Sequence, residues 1–365
     1  MPSQILHVLF GEDLLAALYP APEGGGPKWD GACRGAFALG CQGPDVFYHG
    51  RSTRPFALEY GGLLHRRGYG TFCARLLEAA LPAAGRPETN ALEAYALGFL
   101  SHAALDRHCH PYIVYKSAPT RNADSGNRAE ASLFHPFFER ILDVLMLREL
   151  RRREAEDWNQ GLLAETCANP PPGLRELIVR AMVAAFPEKA AGDEKLAERV
   201  AAAFADSARF YALTDPAKTR TETLNLPAPL SRRFLSVVYP VGLSAGVPTP
   251  DVPGNVDFLN AGREPWYYPY RPPTGANPEP DTRSFPEVYA DALKAAAKAV
   301  RPCVIRNPET GSLHFETVER NIGNEGLSIL NEEGKPCAPN LSAPLPLGAV
   351  LDRQCRIRKG LANLV

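Results

Sequence analysis

Apolar residues recur every three to four positions over much of the chain, which is the period of an α-helix packed on one face. The clearest such stretch opens after Asn90, a residue type that caps helices, and Pro111 is predicted to end this central helix. Residues 301–365 lack a strong period, and only short strands near 304–305 and 313–318 are indicated there. Helices are predicted at 5–18, 63–81, 90–110, 131–157, 174–186, 193–213, 230–243 and 284–300.

This pattern predicts an all-α fold in two parts. Residues 1–300 would form a multi-helix domain, and residues 301–365 a mostly non-helical C-terminal extension, irregular with short strands. The chain holds 35 prolines among 365 residues, about twice the usual share of ~5%. They cluster between the predicted helices, so long proline-rich loops are expected.

Composition narrows the classes of function. A net charge of -1 gives no general attraction to nucleic acid or anionic membrane, so no stable nucleic-acid partner is predicted. No apolar run reaches the ~20 residues that span a bilayer, and the first residues lack the pattern of a secretory signal. The 8 cysteines show no CxxC pair, which favours reduced thiols in a cytoplasmic protein.

The second half of the central helix carries the candidate chemistry. His102 and Asp106 are four residues apart and so share one helix face, and His108 and His110 follow them. Polar side chains on an otherwise apolar helix cost free energy unless they are paired or metal-bound. Imidazole and carboxylate are both ordinary zinc ligands, so this stretch indicates a metal site.

Further candidate ligands lie elsewhere in the first 139 residues. His135 and Glu139 repeat the four-residue spacing at the start of the next long helix, and His7, Asp45 and His65 interrupt apolar helices or follow a tight turn. Together these donors exceed the four ligands of one structural zinc, and carboxylates favour catalytic over structural zinc. The set therefore predicts several adjacent zinc ions.

Four segments within residues 4–139 resemble the zinc-dependent phospholipase C family, which is related to S1/P1 nucleases. They read HVLFGEDLL, FALGCQGPDVFYHG, GFLSHAALDRHCHPYI and HPFFERILD, in the order and spacing of a cytosolic bacterial branch. Residues 254–300 resemble a later part of the family more weakly. The resemblance implies an all-α fold and a cleft with two or three zinc ions that hydrolyses a small-molecule or lipid phosphoester.

The resemblance also implies which residues hold each ion. The first would take Asp45, His65, His102 and Asp106; the second His110, His135 and Glu139; the third His7, a shared Asp106 and the chain's amino terminus. If Met1 is removed, that terminus is Pro2, a candidate terminal ligand.

Two histidines leave alternatives open. Secreted relatives place the next histidine six residues after the shared aspartate, whereas His108 and His110 follow Asp106 by two and four. His110 is preferred because Pro111 would hold it at the helix end, and His108 remains the alternative ligand or a supporting residue. His49 is interpreted as a surface histidine, with a ligand or supporting role as its alternative.

The predicted function is a zinc-dependent phosphoester hydrolase that resembles phospholipase C and attacks a phosphodiester with metal-activated water. Asp45 would bind zinc and orient that water, which makes it the candidate general base. A nuclease or nucleotidase on the same site is one alternative, because the sequence does not show the walls of the cleft. A zinc-binding helical protein without turnover is the other.

Overall fold

The computed structural model describes residues 3–19, 29–80, 90–119, 132–219, 228–241, 243, 256–276, 278–304 and 315–362. Its regular structure is almost entirely helical, so the predicted all-α fold is confirmed. The helices are α1 (Ile5–Leu18), α2 (Gly31–Cys41), α3 (Val46–His49), α4 (Leu58–Leu64), α5 (Tyr69–Ala80), α6 (Asn90–Ser117), α7 (Phe134–Arg151), α8 (Gln160–Ala168), α9 (Leu174–Ala185), α10 (Pro187–Ala190), α11 (Leu196–Leu213), α12 (Pro216–Thr219), α13 (Ala228–Leu235), α14 (Phe285–Val304), α15 (Phe315–Ile322) and α16 (Leu347–Ala362).

Extended structure is minor in these ranges. The strands β1 (Trp266–Tyr267) and β2 (Pro280–Asp281) form one antiparallel pair, and 3-10 turns lie at Gly43–Asp45 and Ala155–Asp157. None of the described helices combines the length and apolar character needed to cross a bilayer.

The central helix α6 packs against several other helices. It contacts α1, α2, α5, α7 and α14, and its buried Tyr95 and Phe99 belong to the main hydrophobic core. Helix α2 approaches α6 closely at two glycines. A Cβ on Gly98 would lie 2.3 Å from the Phe37 carbonyl oxygen, and one on Gly40 would lie 2.1 Å from the Tyr95 carbonyl oxygen. The two glycines therefore let the helix backbones touch, which brings the end of α2 beside the polar half of α6.

The prediction that Pro111 ends the central helix is wrong. Helix α6 continues to Ser117 with Pro111 in its interior. The fixed φ of proline suits a helix, and the missing N–H removes only one hydrogen bond of the helix. Tyr112 and Ile113 beyond it are buried in the core, and their burial offsets that loss.

Three other predicted helices have different bounds. The helix predicted at 63–81 is two helices, α4 and α5, separated by a turn at Gly68 with a φ of 72°. The helix predicted at 131–157 ends at Arg151, because Arg152 adopts a left-handed conformation with a φ of 54°. The helix predicted at 230–243 ends at Leu235, five residues before Pro240.

The C-terminal region holds helices that its sequence pattern did not predict. Helix α15 packs on α5, and α16 packs on α13 and α7. The strand predicted at 313–318 is wrong over 315–318, which begin α15, and Val304 is the last residue of α14 rather than part of a strand. The proposed boundary at residue 300 falls inside α14. The division into two domains stays a prediction.

Candidate metal centre

Eight side chains that the sequence predicts as metal ligands converge at one place, although they come from α1, the residue that follows α4, α6, α7 and the 3-10 turn. Their donor atoms form three groups, each with all its atoms within 4.8 Å of one another. The groups are His7, His102 and Asp106; Asp45, His65 and His102; and His110, His135 and Glu139.

The helices place five of these donors by spacing alone. On α6, His102, Asp106 and His110 are each four residues apart and lie on one face, which the continuation through Pro111 preserves. On α7, His135 and Glu139 repeat that arrangement, with His135 Nε2 3.2 Å from Glu139 Oε1. The two faces meet where His110 Nε2 lies 3.5 Å from the same oxygen.

A tight turn after α2 brings Asp45 into the cluster. Gly43 has a φ of 55°, and a Cβ there would lie 2.4 Å from Cγ of His102. Only glycine therefore fits this turn against the His102 ring. The turn places Asp45 Oδ1 3.1 Å from His65 Nε2, while Asp45 Oδ2 lies 3.8 Å from His102 Nε2.

Asp106 lies at the middle of the cluster. Its Oδ1 is 3.3 Å from His7 Nε2, and its Oδ2 is 3.2 Å from His102 Nε2. The same Oδ2 is 3.7 Å from His65 Nε2 and 3.7 Å from His110 Nδ1. A carboxylate whose two oxygens face different imidazoles is suited to bridge two ions.

The charges of the cluster keep its carboxylates ionised. Burial alone would raise the pKa of Asp106, but the neighbouring His110 and His102 outweigh burial, and the pKa falls well below its usual range. Burial likewise opposes ionisation of Asp45, yet His102 and His65 lower its pKa. His110 shows the reverse effect: burial would lower its pKa, but Asp106 and Glu139 raise it to about 9. The carboxylates are therefore in the deprotonated form that binds a metal ion.

The chemistry of the donor atoms fits zinc. Several side-chain atoms of the cluster are buried and make no hydrogen bond of acceptable geometry within the described part of the chain: His102 Nε2, Asp45 Oδ2, Asp106 Oδ2, Glu139 Oε2 and His7 Nδ1. A buried polar atom without a partner costs about 1–3 kcal/mol, so a group of them is expected where a bound ion supplies the partner. Zinc binds both imidazole nitrogen and carboxylate oxygen, which are the atoms present.

The start of α1 is anchored beside this cluster. The backbone N–H groups of Gln4 and Leu6 donate to the Asp143 carboxylate over 3.0 and 2.8 Å, and the Ser3 hydroxyl donates to it as well. Asp143 is one helical turn beyond Glu139 on α7, so the first described residues run next to the metal ligands. Pro2, the candidate terminal ligand, lies outside the described residues.

Two histidines considered as alternatives lie outside the three groups. His108 directs its Nδ1 to the Ala104 carbonyl of its own helix, 2.8 Å away. The His49 ring stacks on Phe210 with 4.0 Å between ring centroids, and burial lowers its pKa to about 3. His49 is thus packed among aromatic rings rather than placed at the surface as interpreted from the sequence.

We expect His110→Gln and His108→Gln to differ, because only His110 faces the other donors. His110→Gln should lose about one zinc ion per chain in metal analysis of purified protein, since structural and catalytic zinc sites depend on each of three or four ligands. His108→Gln, on the same helix, should keep the zinc content of the natural sequence. Zinc loss in the His108 variant alone would assign the ligand to His108.

Five histidines and three carboxylates on a helical scaffold form adjacent groups that could hold metal ions. A sequence model of the zinc dependent phospholipase C family matches residues 6–190, which contain all eight of these residues. The chain belongs to the zinc-dependent phospholipase C family. Searches of curated proteins and of solved structures found no match.

Arg107 and Leu327 lie beside the cluster, and the sequence predicted no role for either of them. Arg107 follows Asp106 and donates to backbone carbonyls of the C-terminal region, and the Leu327 carbonyl accepts from His110. A contact through a backbone carbonyl requires no particular side chain, so no residue pattern indicates Leu327. Arg107 is visible in sequence only as one of many arginines.

Proposed function

We propose that the chain is a zinc-dependent phosphoric ester hydrolase that cleaves a phosphodiester by attack of an activated water. The observation that carries this proposal is the meeting of eight histidine and carboxylate donors in three adjacent groups, in a chain of a zinc-dependent phospholipase C family. Zinc ions bound there would lower the pKa of water and neutralise the phosphate.

Asp45 is the proposed general base. Bound to zinc, Asp45 would lie beside the water held by the same ion and could accept its proton. The neighbouring histidines lower the pKa of Asp45, which keeps the carboxylate ionised at neutral pH. Its Oδ1 lies 3.1 Å from His65 Nε2 and its Oδ2 lies 3.8 Å from His102 Nε2, so both oxygens face proposed ligands of the same group.

Partial exposure of the cluster favours catalysis over a purely structural metal site. The side chains of His65, His110 and His135 are 12%, 13% and 29% exposed, whereas the other ligands are almost fully buried. Solvent and a small substrate can therefore reach one side of the centre. A zinc-binding scaffold without turnover would need no such opening.

A cavity beside the centre supports a substrate with an apolar group. It has a volume of about 640 Å³, and Tyr48, Phe210, Leu213, Phe234 and Val237 supply its apolar lining. This volume is in the range of small-molecule sites. Arginines at 51, 209 and 233 also line it, and one carboxylate, Asp206, offsets part of their charge.

One residue of the cavity wall contacts a proposed metal ligand. The Tyr48 ring lies 4.8 Å from the His65 ring, centroid to centroid. A phosphoester bound at the zinc site could thus extend an alkyl or acyl group into the cavity, which favours a lipid-like substrate over a nucleotide.

We expect purified protein to contain two or three zinc ions per chain and to hydrolyse bis-p-nitrophenyl phosphate. Octyl p-nitrophenyl phosphate should be preferred over its methyl counterpart by at least about tenfold in kcat/KM, because each buried methylene contributes roughly 0.8 kcal/mol. Zinc analysis and release of p-nitrophenol measure both. A chelator should remove the activity, and added zinc should restore it.

Adding a 3′-nucleotide to these substrates separates the alternatives. Preference for a 3′-nucleotide, with no gain from the octyl group, would identify a nucleotidase or nuclease. Full zinc content without turnover of any phosphoester would identify a zinc-binding protein without catalysis. Protein that retains no zinc after purification in zinc-containing buffer would contradict the proposal as a whole.

We also propose a cytoplasmic location. Six of the eight cysteines are buried as thiols. Thiols persist in a reducing compartment, so they support this location.

A further inference from the structure

Four histidines of the metal centre are held in the same way. In each, Nδ1 is within hydrogen-bond reach of an oxygen of the protein, so Nδ1 carries the hydrogen and Nε2 is left for a metal. Such a contact fixes both the tautomer and the direction of a ligand ring. The pairs are His65 with the Gly61 carbonyl (2.8 Å), His102 with the Cys41 carbonyl (3.2 Å), His135 with the Ser117 hydroxyl (3.4 Å) and His110 with the Leu327 carbonyl (3.1 Å).

Leu327 differs from the other three partners in its origin. Gly61, Cys41 and Ser117 lie inside residues 6–190, the part that matches the family, whereas Leu327 lies far beyond it. The Leu327 N–H also donates to the His65 carbonyl over 2.9 Å. One peptide segment of the C-terminal region therefore contacts two proposed ligands from two different metal groups.

Arg107 fixes the segment that carries Leu327. Its guanidinium donates to the carbonyls of Gly323 and Glu325 over 3.1 and 2.9 Å, and to that of Ile322 as well. Three carbonyls of one turn are thus gathered by a single side chain. Arg107 follows the central Asp106 directly, so the turn is fastened to α6 at the level of the metal ligands.

Helix α5 holds the same turn from its other side. The Gly68 and Gly70 N–H groups donate to the carbonyls of Asn324 and Gly323 over 3.0 and 2.9 Å. The Thr71 N–H donates to the Asn324 side chain over 2.9 Å. With so many bonds to two helices, the turn is placed with little freedom, which is the requirement for a group that orients a ligand.

We propose that residues 322–327 are an integral part of the metal centre and that Arg107 is a positioning residue for His110. This inference rests on the proposed function, since it concerns the same centre. Arg107 fixes the position of the turn, and the turn fixes the position of the Leu327 carbonyl. That carbonyl directs His110 Nε2 toward His135 and Glu139. The group of His110, His135 and Glu139 therefore depends on a region outside the family match.

The test compares Arg107→Met, Arg107→Lys and Arg75→Met in the full-length chain. Methionine keeps much of the length of Arg107 but donates no hydrogen bond, and lysine keeps the charge with a single donor group. Arg75 on α5 pairs only with the exposed Glu78 in the described structure, over 2.8 Å, and serves as the control. Zinc per chain is measured after dialysis against increasing chelator concentration, and the thermal unfolding of metal-free protein is recorded alongside.

Arg107→Met should release one zinc ion per chain at a chelator concentration about 10–100-fold lower than the natural sequence, the range measured when partners of metal ligands are removed. The remaining zinc should resist chelation as before. Arg107→Lys should release this zinc ion at a chelator concentration between those for Arg107→Met and the natural sequence. Arg75→Met should release it at the same chelator concentration as the natural sequence.

Other outcomes would overturn the inference in distinguishable ways. If Arg107→Met keeps all its zinc at every chelator concentration, the turn does not position His110. If it loses all zinc ions together, in step with a lower melting temperature of the metal-free form, Arg107 acts only on the fold. Absence of zinc from the natural sequence would overturn the proposed function and this inference with it.

Discussion

Asp106→Asn should abolish phosphodiester hydrolysis, by at least about 10³-fold in kcat, and should remove at least one zinc ion per chain. Asp106 faces four imidazoles with its two oxygens, so it is the ligand best placed to join two metal groups. Asparagine has nearly the same shape but lacks the negative charge and one acceptor oxygen. Zinc analysis together with hydrolysis of bis-p-nitrophenyl phosphate measures both effects.

The matched control is Asp13→Asn. Asp13 is a half-buried acid, which accepts from Arg151 and from the Tyr289 hydroxyl at 2.8 Å, but it lies outside the metal groups. Asp13→Asn should keep zinc content and kcat within about twofold of the natural sequence, because the substitution removes only a structural ion pair that contributes a modest free energy. If Asp106→Asn keeps its full zinc content and full activity, Asp106 is not a metal ligand and α6 serves only as a helix of the core.

Gly98→Ala should lower the free energy of unfolding by about 3 kcal/mol, near the upper end of overpacking effects. The new Cβ would lie 2.3 Å from the Phe37 carbonyl oxygen and 2.8 Å from the Cys41 amide nitrogen. Backbone atoms of α2 cannot rotate aside, so α2 must move away from α6. That movement should also weaken zinc binding, because the Cys41 carbonyl holds His102.

Gly62→Ala on α4 provides the comparison. A Cβ at Gly62 meets no atom within 4 Å, so alanine adds helix propensity without a clash. It should raise the free energy of unfolding by up to about 1 kcal/mol. Urea unfolding of both variants measures these changes, and equal stability of the two would show that α2 and α6 do not need a glycine contact.

Local spacing made much of the centre predictable. His102 with Asp106 and His135 with Glu139 share helix faces at four-residue spacing, and this can be read without any tertiary information. His110 lies in the cluster for the same reason, four residues after Asp106. The argument that selected it, a helix end at Pro111, is wrong, because α6 continues to Ser117.

The remaining features depend on tertiary contacts that local pattern does not encode. The break between α4 and α5 arises at Gly68, whose N–H donates to a carbonyl of the distant Asn324. Helix α15 begins within a stretch predicted as strand, and it packs on α5. Leu327 acts through its backbone carbonyl, so its role requires no particular residue type and cannot be predicted from the sequence. These contacts were therefore missed, whereas the eight predicted donors do lie together in the structure.

The separation of His110 and its partner Leu327, 217 residues along the chain, has a consequence for the order of events during synthesis. At translation speeds of about 5–20 residues per second, roughly 10–40 s pass between the two residues leaving the ribosome. During that interval the ligand ring exists without the carbonyl that directs it. Loading of the His110 group with zinc is thus expected to be a late, post-translational event, whereas the other histidines have their partners as soon as the first half of the chain has folded.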